Sequence, residues 1–137
     1  MYEKILAAVD ESEMADRVLA AAGDLAKLSR GDVLVVHMRE REQTKFGMTS
    51  AESREDAQAF VEASVGKLTA TGISARGSAR DVMFGHTARE IIDDAESNDI
   101  DIIVMGSRGR GDLAGLLLGS TAHKVIHLTH KPVLVVR

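Results

Sequence analysis

Four apolar runs constrain this chain more than any other feature: "KILAAV" (4–9), "DVLVVHM" (32–38), "DIIVMG" (101–106) and "PVLVVR" (132–137). Each is almost continuously apolar instead of alternating, as expected of parallel strands covered on both faces. Parallel strands need crossovers, and the segments between these runs carry the helical period that a crossover requires. Ala15, Val18, Leu19, Ala22, Leu25 and Ala26 recur at i, i+3, i+4 and i+7, with Gly31 as the expected stop. Ala57, Phe60, Val61, Val65 and Leu68 repeat the pattern ahead of Gly72, and Ala88, Ile91, Ile92 and Ala95 make a shorter third helix. Ala122, Val125 and Ile126 begin a fourth, which Pro132 keeps from continuing. One further strand, "ISARGSARDV" (73–82), alternates small or apolar residues with Ser and Arg, the pattern of a half-exposed edge. The polar stretch 39–56 is expected to begin as a mobile loop.

This succession predicts an α/β, Rossmann-like fold: a five-stranded, mostly parallel sheet of order 3-2-1-4-5 with helices on both faces, as a single domain over 1–137. The net charge of −4 argues against a nucleic-acid partner, which would call for a basic patch. The absence of cysteine fits a reducing compartment, and "MYEKILAAVD" lacks the long apolar region of a signal peptide. No apolar run approaches the roughly 18 residues of a membrane span. The expected location is the cytoplasm.

In such a sheet the ligand crevice opens where the winding reverses, here between strands one and four. Strand four runs straight into "MGSRGRGDLAGLLLGST" (105–121), with glycines at 106, 109, 111, 115 and 119. Glycine lets an outside atom approach the backbone where a Cβ would stand in the way. At Gly119-Ser120-Thr121 the leading amides of the fourth helix are unpaired, with the positive end of its dipole behind them. Such a terminus suits phosphate, with the two hydroxyls as further donors. No lysine precedes Ser120, so this is not a Walker A loop, and strand one runs into "DESEMA" instead of a dinucleotide fingerprint. The competing reading is a glycine-rich surface loop without a ligand.

The spacing Gly106-x2-Gly109-x9-Gly119-Ser120 matches the G-x2-G-x9-G-[ST] nucleotide motif of the universal stress proteins, and the likeness spans the chain. "ILAAVDES" resembles that family's opening strand with its D-x-S turn, and "VLVVHM", "FGHTAREI", "DIIVMGSRG" and "KPVLVV" fall where its elements fall. His86-Thr87 departs from relatives that open the third helix with proline. The resemblance implies the adenine nucleotide alpha hydrolase-like version of this fold and binding of ATP. It places Asp10 and Met38 near ribose and adenine, Ala8 and Val9 at the same end of strand one, and Met105 and Gly106 against the adenosine. Gly109, Gly119, Ser120 and Thr121 would hold the phosphates. Chemistry agrees, since a carboxylate accepts from ribose hydroxyls and Met adapts to a flat apolar ring. Arg108 and Arg110 read equally well as phosphate ligands and as solvated loop charges. Mg²⁺ is expected to bridge the phosphates, because few cations lie near Gly119.

Other constellations are weaker. His123, His127 and His130 at i, i+4 and i+7 could share a helical face, but no cysteine or HExxH glutamate accompanies them, and no metal site is assigned. His37 reads as a packed histidine bonded to backbone. Asp10, Ser12 and a histidine lack a nucleophile elbow, and Ser12 reads as the cap of the first helix, so no catalytic residue is assigned. The expected function is an ATP-binding stress or regulatory module with at most slow hydrolysis. The alternatives are binding of another adenine nucleotide, such as cyclic AMP, and a slow hydrolytic or phosphotransfer enzyme in the same pocket. Strand five is uniformly apolar yet outermost, so a homodimer through 132–137 is expected to cover it.

Overall fold

The structure, a computed structural model, describes residues 1–109, 112, 115 and 117–137. Its elements follow the chain as β1 (Lys4–Ala8), α1 (Ala15–Ser29), β2 (Asp32–Thr44), β3 (Gly47–Thr49), α2 (Arg54–Thr69), β4 (Ser74–Met83), α3 (Thr87–Ser97), β5 (Ile102–Gly106), α4 (Ser120–Leu128) and β6 (Val133–Val136). The parallel sheet runs β4-β2-β1-β5-β6, which is the expected order 3-2-1-4-5 once strands are counted without β3. The sheet has six strands instead of five, because β3 pairs antiparallel with the far end of β2.

The apolar runs are buried on both faces. Ile5, Ala7, Val33, Val35 and Val104 pack with Val18, Leu19, Ala22 and Ala26 of α1 and Leu68 of α2. Leu6, Leu34, Val36, Ile103 and Met105 pack on the opposite side with Ala88, Ile91 and Ala95 of α3 and Val125 of α4. The two-residue period of a strand sends neighbours to opposite layers, so a strand with cover on both sides must be apolar throughout. Each such Leu, Ile or Val contributes roughly 1.5–3 kcal/mol by leaving water.

Stretch 39–56 is where the expectation fails. β2 does not stop at Met38 but continues to Thr44, paired with β4 as far as Arg41↔Met83. It then turns at Lys45-Phe46, with Gly47 at φ +105, and returns as β3. This ribbon is largely polar, with Val82 in the apolar core, and ion pairs hold its polar residues together. Arg39 meets Asp81 at 3.1 Å, and Arg54 from the first turn of α2 reaches the same carboxylate at 3.1 Å.

Smaller corrections concern single residues. Arg30, at φ 59, is the left-handed residue ending α1, not Gly31. Gly31 is needed for space: the Asp32 N–H donates to the Glu3 carbonyl at 2.8 Å, and a Cβ on Gly31 would overlap that carbonyl. Ser12 lies outside α1, its Oγ accepting from the Met14 N–H at 3.2 Å ahead of the first turn. Ile126 is exposed instead of joining the core beside Ala122 and Val125.

β6 is an outer strand, paired with β5 on one side and, among the described residues, with no strand on the other. The Pro132 and Val136 carbonyls accept from Ile103 and Ser107. By the strand period, the polar groups of Val133 and Val135 therefore point to the open edge. Leu134 is 40% exposed.

A methyl group at Gly31 meets backbone that cannot move without breaking the β1–β2 register. We expect Gly31→Ala to cost about 1–3 kcal/mol, the usual range for overpacking. Gly66→Ala, on an exposed position of α2 with nothing within 4 Å of its Cβ, should instead gain about 0.5–1 kcal/mol. Urea denaturation of both variants measures the contrast.

Candidate functional site

The carboxyl ends of β1 and β5, the middle of β2 and the N-terminus of α4 line a cavity of about 480 Å³, within the range of small-molecule sites. It sits where strand order reverses about β1. Ala8, Val9 and Asp10 reach it from the end of β1, Met38 from β2, and Met105 and Gly106 from β5. Arg108 and Gly109 follow β5 into its wall, and Gly119, Ser120 and Thr121 open α4 there. All eleven residues singled out in the sequence thus line one space. Arg110 lies outside the described residues.

The backbone ties these ends together. The Val9 N–H donates to the Val36 carbonyl at 3.0 Å, holding the end of β1 against β2. The Ser107 N–H donates to the Val136 carbonyl at 2.7 Å, and the Gly119 N–H to the Ser107 carbonyl at 2.5 Å. Buried Ser107 therefore links β5, β6 and the start of α4. α4 begins with no side-chain cap and no acidic residue in its first turn. Gly119 has an ordinary extended backbone, φ −76 and ψ 170, so it is bare for reasons of space and not of conformation. Gly115, in the spacer, differs: its φ of +88 calls for glycine on conformational grounds.

Asp10 Oδ1 accepts from the Ser12 N–H at 3.1 Å, fixing the turn into α1. A Cβ at Gly109 would lie 2.8 Å from Asp10 Oδ2, so Gly109 leaves room for that carboxylate. The Asp112 carboxylate is a neighbour that the sequence reading missed: its Oδ2 accepts from the Gly109 N–H at 2.6 Å.

At the other end stands a buried pair. His37 Nδ1 lies 2.9 Å from the Val9 carbonyl, and Nε2 lies 2.8 Å from Glu52 Oε1. The ring meets Phe60 edge-on at 4.9 Å. The expected packed histidine is correct, but its carboxylate partner left no trace in the sequence. The carbonyl and the carboxylate both offer acceptor oxygens to the ring, so both nitrogens have a partner. The Arg39 Nε–H donates to the Glu52 carbonyl at 2.7 Å, joining this pair to the Asp81 cluster. Burial raises the Asp81 carboxyl, but hydrogen bonds and charge from Arg39 and Arg54 outweigh it and hold the group below the ordinary carboxylate range. Together these contacts fasten Ser50, Ala51 and Glu52 as a wall of the cavity.

With both nitrogens so engaged, His37 does not address Ser12, whose Oγ faces the Met14 N–H, and no Ser-His-Asp triad forms from these residues. His123 and His127 stack at 6.2 Å on the exposed face of α4, while His130 lies past its end, so the three do not share a helical face.

Among the described lining residues, Asp10, Glu11, Glu40, Glu52 and Asp112 carry carboxylates against one arginine, Arg108, which lies 3.3 Å from Glu13. We expect Glu52→Ala to destabilise the fold by about 1–3 kcal/mol, because it strands a buried ring nitrogen. Glu40→Ala, which removes an exposed bond from Thr87 Oγ1, should stay within about 0.5 kcal/mol of the parent. Chemical denaturation at constant pH compares the two.

A family model described as the universal stress protein family matches residues 1–137. Universal stress protein YxiE of Bacillus subtilis is 31% identical over an alignment taking in 100% of both chains. Universal stress protein MJ0577 of Methanocaldococcus jannaschii is 33% identical over 100% of this chain and 96% of its own. The MJ0577 structure superposes with a TM-score of 0.81 at 28% identity, over 99% of this chain and 96% of that one. The universal stress protein of Archaeoglobus fulgidus, solved in complex with dAMP, superposes with a TM-score of 0.77 at 27% identity, over 99% and 98% of the two chains. Matched along its whole length by the family model and by both relatives, the chain belongs to the universal stress protein family.

Proposed function

We propose that the cavity binds an adenine nucleotide, ATP with a bridging Mg²⁺, and that the protein is a regulatory module of the cytoplasm with at most slow hydrolysis. The observation that carries this reading is the convergence of three unlike groups on one space. Met38 and Met105 offer apolar, adaptable walls for a base, and Asp10 offers an acceptor for ribose hydroxyls. Gly109 and Gly119, with the Ser120 and Thr121 hydroxyls, offer a bare, donor-rich helix start for phosphate.

The electrostatics argue for the cation. Among the described lining residues carboxylates outnumber cations, so a triphosphate would meet like charge there, which Mg²⁺ shared among phosphate oxygens would neutralise. The described lining offers no lysine to perform that task, and no Walker-type machinery for efficient phosphoryl transfer. The dAMP complex of the Archaeoglobus fulgidus relative favours a second reading, in which a monophosphate such as cyclic AMP occupies the same space.

ATP titrated by calorimetry should bind at least tenfold more weakly after chelation of divalent ions, about 1.4 kcal/mol. Equal affinity with and without metal removes the cation from the proposal. Gly119→Val should lose at least tenfold in ATP affinity while its far-UV dichroism stays native, with Gly66→Ala as the neutral control. Unchanged ATP affinity in the Gly119 variant would refute the phosphate assignment.

We also propose a homodimer in which β6 pairs antiparallel with its copy about a two-fold axis. The outward polar groups of Val133 and Val135 and the exposed Leu134 support it. Val135→Pro, which deletes an edge N–H, should shift sedimentation from dimer to monomer. A parent protein that sediments as a monomer at micromolar concentration excludes the assembly.

A further inference from the structure

Two glycines of the proposed phosphate cradle are not facing empty space. The Gly109 N–H donates to Asp112 Oδ2 at 2.6 Å, and a Cβ on Gly119 would overlap the same oxygen, with Asp112 Cγ 2.8 Å away. A Cβ on Gly109 would lie 3.7 Å from Asp112 Oδ2 and 2.8 Å from Asp10 Oδ2. The chain's own carboxylate therefore occupies the space that the bare backbone provides, on an amide that a phosphate oxygen would use. Carboxylate and phosphate oxygens seek the same N–H donors, and both are anionic. They cannot share the Gly109 amide and the flank of Gly119 without one giving way or a cation coming between them.

We propose that Asp112 determines how many phosphates the site accepts. With its carboxylate against Gly109 and Gly119, the cavity takes an adenine nucleotide of low charge, a nucleoside monophosphate or its cyclic ester. A triphosphate enters by displacing Asp112 or with a divalent cation that neutralises it. This rests on the reading of the cavity as an adenine-nucleotide site and adds a discriminating residue within it. The Asp112 N–H also donates to the Gly109 carbonyl at 3.3 Å, so the residue closes a short loop as well. Loop closure alone needs no charge, since an asparagine oxygen accepts the same hydrogen bond. Discrimination by phosphate number needs the charge.

Asp112→Asn separates the two roles. Adenosine, AMP, ADP and ATP are titrated calorimetrically into the parent and the variant, in chelator and again with Mg²⁺. In chelator, the variant should bind adenosine within twofold of the parent, AMP a few-fold more tightly, and ATP at least tenfold more tightly. Mg²⁺ should narrow the ATP difference between the two proteins. An unchanged ATP affinity in chelator, or the same fold-change for adenosine as for ATP, overturns the role of Asp112 while leaving the nucleotide site intact. Binding of none of the four ligands by either protein overturns the nucleotide reading itself, and this inference with it.

Discussion

Because β1 pairs in parallel with β2 on one side and with β5 on the other, the chain leaves these central strands toward opposite ends of the sheet. That pairing opens a crevice at the carboxyl ends of β1 and β5, beside the middle of β2, and the remaining architecture depends on it. It puts Val9 and Asp10 opposite Met38, Met105 and Gly106. It also requires cover on both faces, which α1 and α2 supply on one side and α3 and α4 on the other. The closeness that this register demands is visible at Gly31, where the Glu3 carbonyl fills the place of a side chain.

Beyond the apolar layers, polar contacts take over the task of holding shape. On the polar part of the β2–β4 ribbon, Asp81 gathers Arg39 and Arg54, and Arg39 in turn holds the Glu52 carbonyl. Glu52 then reaches His37 at the floor of the cavity. One side of the site is thus set by a chain of hydrogen bonds that begins in an exposed ribbon. The other side is set by backbone bonds through Ser107, which tie the start of α4 to β5 and β6. Rigid supports on both sides are what a pre-formed ligand cavity needs.

The site combines two opposed electrostatic elements. An uncapped helix start with bare glycines favours an anion, whereas the surrounding carboxylates disfavour one of high charge. For the proposed nucleotide site, these elements make the net charge of the ligand, through phosphate number and bound divalent cations, the quantity to which binding would respond.

The five parallel strands, the helices and their order could be read from the sequence, because periodicity is a local pattern. The eleven residues found around the crevice came instead from the glycine spacing together with the resemblance to the universal stress proteins. A run such as "VLVV" states its own burial, and the parallel order follows from the helices between the runs. The residues 39–44 do not state theirs: "REREQT" has the composition of a solvated loop, and it becomes a strand because β4 and Asp81 lie beside it. Gly31 marked the end of a helix correctly but for the wrong reason, since the constraint comes from a carbonyl 28 residues earlier. Glu52 and Asp112 likewise carry no local signal. Their positions follow from which distant ring or amide the folded backbone brings within hydrogen-bond reach. Sequence by itself determined the layers and the location of the crevice, because burial and period are properties of neighbours along the chain. Only the tertiary structure decided which charges meet inside it, because a carboxylate pairs with what lies near it in space.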